Sequence, residues 1–512
     1  MEEKIRSDTK KLYESIQQTL SKQNINVVVG TIYDLMAVCR SWYRGSVDDF
    51  HFYNINLANG TTKKRERRTL NMPKKVCEDF SKLEWSEKVE IKLDSKKNTE
   101  KLWKVLDSKE NSFTKNMSSF IEKLYALGTM VTIEYKKKDK TTIDYVEGDV
   151  VLPYKYTNSY IYGLITVSRT TEGSGDKKKY YTLLTYHEYD DGKYLKTNEL
   201  YISKNESILG KKIEFSKKYP GVQEDEVIET EFPRFQVWKL PITNNFDTDS
   251  PMGLSILANQ IDKFKNIDTK YDSFNHEFES GKRRVLVDRK AVKSKIEGVD
   301  EKGNPIYNSY FDADDDVYVA IDGMENQPVK DINFELRAEE HINAINTELN
   351  YLSAGVGLGT GFYKFDSAGV KTATEVISEN SDTYRTKVTH QTTLYDSLYD
   401  LIACICEMEN IKFKEISITF DDSIVQDEDA LINRGIALYN AGLISKEKFM
   451  KKYLHYEDAE VADELLKIKE DNKIVQPEGI DFFGLDNKDK KDDNATDDQN
   501  NEKEETEQKQ QK

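Results

Sequence analysis

"SPMGLSILANQIDKFKNIDTKYDSFNHEFESGKRRVLVD", residues 250–288, repeats apolar residues at the spacing of one helix face. Leu257, Phe264, Tyr271 and Phe278 fall seven apart, and Ile261, Ile267 and Phe274 fill the adjacent stripe. The spacing predicts a long one-faced helix with Ser250 and Pro251 before its start and Gly281 at its end. At 1.5 Å per residue, roughly 25 residues make a rod of about 37 Å, which needs packing partners along its length. A second stripe returns in "ELRAEEHINAINTELNYLSAG", residues 335–355, where Ile342, Ile345, Leu349 and Leu352 follow three- and four-residue steps. Between them, residues 283–323 read as strand-like runs broken by Gly and Asp turns, a small αβ excursion. Two helices thus bracket a small domain, like a stalk with a head on one end.

Outward from this hairpin the character of the chain changes twice. From Met1 to about Leu106 the pattern is mostly helical; "TIYDLMAVCRSWYRG", residues 31–45, offers Ile32, Leu35, Met36 and Val38 or Cys39 at helical spacing, with Gly45 as a stop. Between about Met130 and Trp238 apolar and polar residues alternate, and Asp191-Gly192 between two such runs is a hairpin signal, so this stretch reads as a β-rich domain. Downstream, "GVGLGTGFYKFDSAGVKTATEV", residues 355–376, carries glycines at 355, 357, 359 and 361. Thr372 with Glu375 three residues on matches a capping box and opens a helix of about 38 residues, polar on every side in its first half. "EISITF" reads as a strand and residues 427–472 as short helices. The tail from about Gly484 holds too little apolar surface to offset its ordering entropy and is expected to be disordered.

Composition limits the function classes. A chain of 512 residues, 37% hydrophobic, has room for several cores. Its formal net charge of -17 argues against gripping DNA or an anionic membrane through a global basic surface. Cys39, Cys77, Cys404 and Cys406 are too few and scattered for a disulfide framework, and together with the charged start "MEEKIRSDTKKLYESI" they point to folding in a reducing cytosol. No apolar run approaches the roughly 20 residues that span a bilayer, and the mean hydropathy is -0.72, so no membrane entry is expected.

The chemical candidates fail on spacing. The glycine loop lacks the GxxxxGK[ST] of a phosphate-binding loop, and a dinucleotide fingerprint would need glycine at 360 or 362, where Thr360 and Phe362 stand. Asp312 and Asp314 to Asp316 suggest a calcium loop, but Val317 and Gly323 occupy the positions where that motif needs Gly and Glu. Cys404 and Cys406 lie two apart on a helix without a second pair to complete a zinc site. The six histidines form no HExxH and no GxSxG occurs, so neither hydrolysis nor a metal or other cofactor is expected. "KKRERR", residues 63–68, is the one dense basic cluster; it reads either as a nucleic-acid contact or as a solvated loop before a helix.

Five blocks in order, "WYRGSVDDFHFYNI", "RRTLNMPKKVCEDFSKLEWSEKVEI", "PMGLSILANQIDKFKNIDTKYDSFNHEFESGKRRVLV", "FDSAGVKTATEVISENSDTYRTKVTHQ" and "NAGLISKEKFMKKYL", together resemble the portal proteins of tailed, siphovirus-type phages that infect Gram-positive bacteria. The similarity covers nearly the whole chain except the tail. The resemblance implies an α+β portal fold with a wing, a helical stem, a small αβ clip and a helical crown, assembling as a homo-oligomeric ring of twelve subunits at one capsid vertex. It implies virion localisation, synthesis in the host cytoplasm, and double-stranded DNA passing without sequence specificity. It also implies partners: terminase, then the head-tail adaptor, with the major capsid and scaffold proteins around the ring. Carried onto this chain, residues 1–252 hold the N-terminal helices and wing, 253–281 and 335–354 the stem helices, and 282–334 the clip. Residues 355–371 become the tunnel loop, 372–426 the long wing helix and strand, 427–483 the crown, and 484–512 the tail.

On this reading Gly355, Gly357, Gly359 and Gly361 let the tunnel loop change shape at low steric cost. Phe362, Tyr363 and Lys364 would project toward a passing duplex, Lys364 adding weak, sequence-blind attraction. Asp312, Asp314, Asp315 and Asp316 would lie on the clip, where partners dock. Two other classes stay open: a coat or tail protein that builds shells or tubes, and a packaging ATPase or nuclease, against which the absent Walker lysine and metal-ligand clusters argue.

Overall fold

The computed structural model describes residues 2–56, 60–85, 89–280, 284–288, 294–299, 302–303, 305–309, 318–321, 329–332, 335–365, 373–420, 428–454, 456 and 458–474. The chain divides into two units, Met1–Gln426 and Asp427–Lys512. The first begins with helices α1 (Glu2–Ser21), α2 (Thr31–Tyr43), α3 (Asp48–His51), α4 (Met72–Glu84), α5 (Lys96–Leu106) and α6 (Phe113–Leu127). Helix α2 serves two cores at once. Ile32, Tyr33 and Met36 join a core with α1 and a six-stranded sheet, while Cys39 and Trp42 join a larger core with α4 and α6. Gly45, at φ 70°, donates its N–H to the Trp42 carbonyl and ends the helix in the left-handed turn that glycine tolerates.

The six-stranded sheet follows from alternation. Val151–Thr157, Tyr160–Glu172, Lys179–Asp190, Lys193–Ser203 and Lys211–Ile213 form an antiparallel meander, and Asp225–Glu229 also pairs with Lys193–Ser203. Asp191 (φ 47°) and Gly192 (φ 73°) make the tight turn between two of its strands, both in the left-handed region that such a turn requires. A three-stranded sheet, ordered Phe235–Lys239, Thr129–Lys137, Lys140–Glu147, stands beside it.

Helix α7 (Ile261–Ser280) starts eight residues later than its apolar stripe predicts, after a short 3₁₀ turn, Ala258–Gln260. Residues 253–257 are buried but not helical. The Ser255 hydroxyl donates to the Tyr125 and Ala126 carbonyls, and the backbones of Gly128 (φ 83°) and Gly253 cross so closely that a Cβ on either would overlap the other's chain. After α7, Arg284–Asp288 pairs parallel with Tyr318–Ile321 and antiparallel with Val329–Ile332, and Ser294–Val299 pairs with Pro305–Ser309. The described residues of this excursion are strands and turns. Helix α8 (Ala338–Gly355) returns against α7, and α9 (Ala373–Met408) leads to Ile416–Thr419, which pairs with Glu90–Leu93. Thr372, the expected cap of α9, lies outside the described residues, as does the tail from 484.

The second unit contains α10 (Glu428–Asn440), α11 (Lys446–Tyr453) and α12 (Asp458–Ile474). Ser445 caps α11 by accepting the Lys448 N–H at 3.1 Å, and Gly435 gives way to the rings of Phe449 and Tyr453.

Two buried histidines tie this architecture to pH. Burial holds His187, bonded at 2.7 Å to the Tyr194 hydroxyl, down to about 3, and His390, bonded at 2.7 Å to the Tyr125 hydroxyl, down to about 4. Both fold neutral, so between their ordinary 6.5 and these values the unfolded chain binds the extra protons. Stability is therefore full above about pH 6.5 and falls on acidification, by about 2 kcal/mol per histidine at pH 5. Urea midpoints at pH 7 and pH 5 measure the loss, and His390→Gln is expected to shrink the difference.

Candidate functional site

The site is assembled around the α7–α8 pair and the glycine loop that follows it. Phe264 and Ile267 on α7 and Ile345, Leu349 and Leu352 on α8 share the large core. Polar links hold the pair at three heights. Gln260 donates to the Gly355 carbonyl at 2.8 Å, Lys270 meets Glu348 at 2.7 Å, and Glu277 accepts from the Arg337 guanidinium at 2.6 Å and His341 Nε2 at 2.8 Å. The Arg337 and His341 bonds hold the Glu277 carboxyl at about 2. Beyond the core the pair keeps large apolar side chains in solvent: Phe278, Ile342 and Tyr351, the last 59% exposed.

A strap from α3 to α4 grips α7 from the side. The Asp268 carboxylate is buried, yet accepts from His51 Nε2 at 3.1 Å, the Thr69 hydroxyl at 2.9 Å and the Leu70 N–H at 2.9 Å. His51 Nδ1 takes the Val47 N–H at 2.9 Å, which leaves the imidazole proton on Nε2, facing Asp268. The basic cluster belongs to this strap. Residues Thr62–Glu66 form a strand paired with Phe52–Asn56, so the expected solvated loop is corrected to a hairpin. Arg65 lies 3.7 Å from Asp272 and Arg68 2.6 Å from Glu279, because α7 presents acids along the face the strap crosses.

The loop after α8 is anchored from both helices. Gly359 N–H donates to the Thr383 hydroxyl at 3.1 Å and the Thr386 hydroxyl to the Gly357 carbonyl at 2.5 Å, both from α9. From α8, Ser353 Oγ accepts the Tyr363 N–H at 3.3 Å and Asn346 Oδ1 the Phe365 N–H at 3.2 Å. Gly357 (φ 82°) and Gly361 (φ 91°) take left-handed backbone, while Gly355 closes α8. Phe362, Lys364 and Phe365 are exposed, Phe365 at 64%. Tyr363 is the exception to the expected outward trio: it is buried in the large core, where desolvation and the Asp79 carboxylate raise its pKa. Its alternate position beside two exposed neighbours carries it inward.

The threonines and the buried polar residues of α9 were not singled out from the sequence. Thr383, Lys387, His390 and Gln391 are buried within the first unit, so at least this part of the polar half of α9 packs inside the subunit. Their signal was a helix polar on all sides next to a loop rich in unpaired backbone. Asp312, Asp314, Asp315 and Asp316, and loop residues 366–371, lie outside the described residues. Cys39, Cys77, Cys404 and Cys406 are buried. No group of metal-binding side chains occurs among the described residues, and no described helix is long and apolar enough to cross a membrane.

The family model described as phage portal protein, SPP1 Gp6-like, matches residues 31–477. The chain belongs to this family. It is a portal protein: a structural component of the virion that forms the channel at a capsid vertex, and not an enzyme. Among solved structures it is similar to a chain in the virion of a native gene transfer agent particle, at 10% identity and TM-score 0.40, over 75% of this chain and 88% of that one. Chains from the neck of an empty gene transfer agent particle with C6 symmetry (10% identity, TM-score 0.39, 74% and 87% covered) and of a native one with C12 symmetry (11%, 0.36, 73% and 87%) are also similar. No curated protein matches it.

The glycine loop and the α7–α8 pair give two expectations. A Cβ on Gly357 would sit 2.7 Å from Thr386 Oγ1 with φ at 82°, whereas at Gly355 it would meet only the tips of Gln260 and Lys263. Gly357→Ala is expected to destabilise by about 1–2 kcal/mol and Gly355→Ala by less, read from thermal melts of the two variants. The Glu277 link, formed by a carboxyl held below its ordinary range, is complete above about pH 4.5 and is lost as pH falls toward about 2. Hydrogen exchange at residues 338–342 should accelerate across that window, and at neutral pH in Glu277→Gln.

Proposed function

We propose that this portal protein assembles as a closed ring of twelve subunits through which double-stranded DNA enters and leaves the capsid without sequence recognition. The observation that carries the reading is the family match across residues 31–477, joined to the α7–α8 pair with its glycine loop. In this reading residues 253–281 and 335–354 are the stem, 282–334 the clip, 355–371 the tunnel loop, 372–426 the long wing helix and strand, and 427–483 the crown, with the wing before residue 253. The clip, including Asp312 and Asp314 to Asp316, receives terminase during packaging and the head-tail adaptor afterwards; major capsid and scaffold proteins surround the ring. The phage is of the siphovirus type with a Gram-positive host, in whose cytoplasm the chain is made.

Physical chemistry supports a conduit of this kind. Each phosphate that a channel neutralises adds affinity through counterion release, and affinity is friction for a sliding duplex. A chain with net charge -17 limits that drag. Among the described loop residues, Phe362, Lys364 and Phe365 are large exposed side chains, one of them a cation. Exposed Phe278, Ile342 and Tyr351 give the stem apolar surface for neighbouring subunits, as head-to-tail ring interfaces require.

Negative-stain electron microscopy of the purified chain should show closed rings with a central hole wide enough for duplex DNA; sheets, tubes or monomers would count against the ring. Deleting residues 357–368 is expected to leave rings intact and to reduce the yield of DNA-filled heads, and an unchanged yield would remove the loop from the proposal.

A further inference from the structure

Helix α5, "KKNTEKLWKVL" at residues 96–106, goes against the local preferences of a helix on its exposed side while its other side is well anchored. Leu102 and Leu106 are fully buried, the Trp103 indole N–H donates to the Ile91 carbonyl at 3.1 Å, and the Thr99 hydroxyl accepts the Leu93 N–H at 2.9 Å. On the opposite face Lys97, Lys101 and Lys104 form a stripe at four- and three-residue steps, all exposed. Lys97 and Lys101 are like charges at the i,i+4 spacing, which is destabilising. Lys96 and Lys97 occupy the first turn, where the helix dipole disfavours cations and no acid stands. Ser95, at the cap position, makes no side-chain bond to the first-turn amides. Lys104, in the last turn, is the one lysine that the dipole favours.

This charge is not compensated within the chain. Among the described residues no carboxylate forms an ion pair with Lys96, Lys97, Lys101 or Lys104, although Glu100 stands three or four residues from three of them. The basic band continues at both ends of the helix. Asn98 Nδ2 donates to the Lys412 carbonyl at 2.8 Å, which brings exposed Lys412 beside the first turn. Lys140 meets Glu110 at 2.7 Å, which brings the turn that carries exposed Lys137 and Lys138 beside the far end. Composition then selects the partner. Protein interfaces enrich Arg, Tyr and Trp and deplete Lys, whereas the exposed stripe of α5 is lysine alone. Lysine ammonium groups are point charges suited to phosphate, and from Lys97 to Lys104 they span about 10 Å, roughly three phosphate steps along one strand.

We propose that α5 binds the phosphate backbone of duplex DNA, without sequence recognition, through Lys97, Lys101 and Lys104, with Lys96 and Lys412 strengthening the same band. The inference rests on the proposed conduit only in naming duplex DNA as the polyanion that the chain meets. It adds a second place of contact. The described residues of the glycine loop include one cation, Lys364, whereas α5 carries a stripe whose mutual repulsion is relieved when phosphates neutralise it. A net charge of -17 repels anions from the rest of the chain and confines such contact to a local band. Each phosphate contact releases counterions, so the logarithm of affinity falls with the logarithm of salt by about 0.9 per contact. For three contacts, raising salt from about 50 to about 150 mM weakens binding by about 20-fold.

Fluorescence anisotropy of a labelled duplex of about 30 base pairs, titrated with the purified full chain across this salt range, tests the assignment. The parent chain is expected to bind with a log-log salt slope of about -3 or steeper. Combining Lys97→Gln, Lys101→Gln and Lys104→Gln should lower affinity by at least about tenfold at about 50 mM salt and make the slope shallower by about 3. The melting temperature of that variant without DNA should stay equal or rise, because repulsion is removed; a merely structural role would lower it. Lys364→Gln should change affinity by less than about threefold. Undiminished binding by the triple variant, no duplex binding by the parent, or loss of binding through Lys364→Gln instead overturns the proposal. Displacement of the duplex by polyglutamate at equal charge also overturns it and assigns the stripe to an acidic protein. Negative stain of the same samples separates the two readings: closed rings without α5-dependent binding overturn this inference alone, and α5-dependent binding without rings supports it while counting against the ring.

Discussion

The buried Asp268 carboxylate fixes where helix α7 lies, and much of the first unit is arranged around that requirement. An ionised carboxyl removed from water is strongly destabilising unless hydrogen bonds replace its hydration. Here the replacements come from a different part of the chain: His51, Thr69 and the Leu70 backbone. The strap that carries them must therefore cross α7 at one height and one rotation. Sliding the helix by a turn would strip Asp268 of its donors and also separate Arg65 and Arg68 from Asp272 and Glu279. Packing alone would allow such slippage more easily, since apolar stripes repeat along a helix.

With α7 fixed, α8 inherits its position. Phe264 and Ile267 share the large core with Leu349 and Leu352, and burial there contributes about 1.5–3 kcal/mol per fully buried side chain. The links at Gln260, Lys270 and Glu277 set the register. The glycine loop is then delivered to a defined place beside α9, and its backbone groups find hydroxyls there instead of water. A loop held this way is not slack. Its left-handed turns at Gly357 and Gly361 are conformations that most other residues disfavour, and the threonine bonds select one arrangement among those glycine permits.

This division between what repeats and what crosses explains how much was legible beforehand. Helices α7 and α8, the β-rich stretch and the Asp191-Gly192 turn carry local signals, spacing of 3.6 or 2 residues and a turn dipeptide, and these survive in any context. The start of α7 did not. Leu254, Ile256 and Leu257 continue the apolar stripe but belong to a non-helical segment, because Gly128 and Gly253 meet backbone to backbone more than a hundred residues apart. Likewise "KKRERR" has the composition of a solvated or phosphate-seeking run, and only the acids on α7 turn it into an intramolecular strap. At the candidate site, the glycines were visible and their hydroxyl anchors were not, since Thr383 and Thr386 look like any exposed helix residues until the loop is beside them.

The polar half of α9 shows the same limit from the other side. A helix with no apolar face reads as surface, and a helix whose polar groups find partners on its neighbours can be interior. Thr383 bonds a loop amide and His390 a tyrosine hydroxyl, so burial there trades water for fixed partners at little net loss. For a portal subunit this has a mechanical consequence. Hydrogen-bonded polar contacts are directional, so the loop shares the position of α9 more strictly than an apolar contact would impose, while the exposed Phe362, Lys364 and Phe365 stay outside that network. A displacement of α9 along its axis would move the loop's anchored backbone with it, and the exposed side chains would follow as a unit. The device that positions the loop is therefore also the one through which the long helix can reposition it.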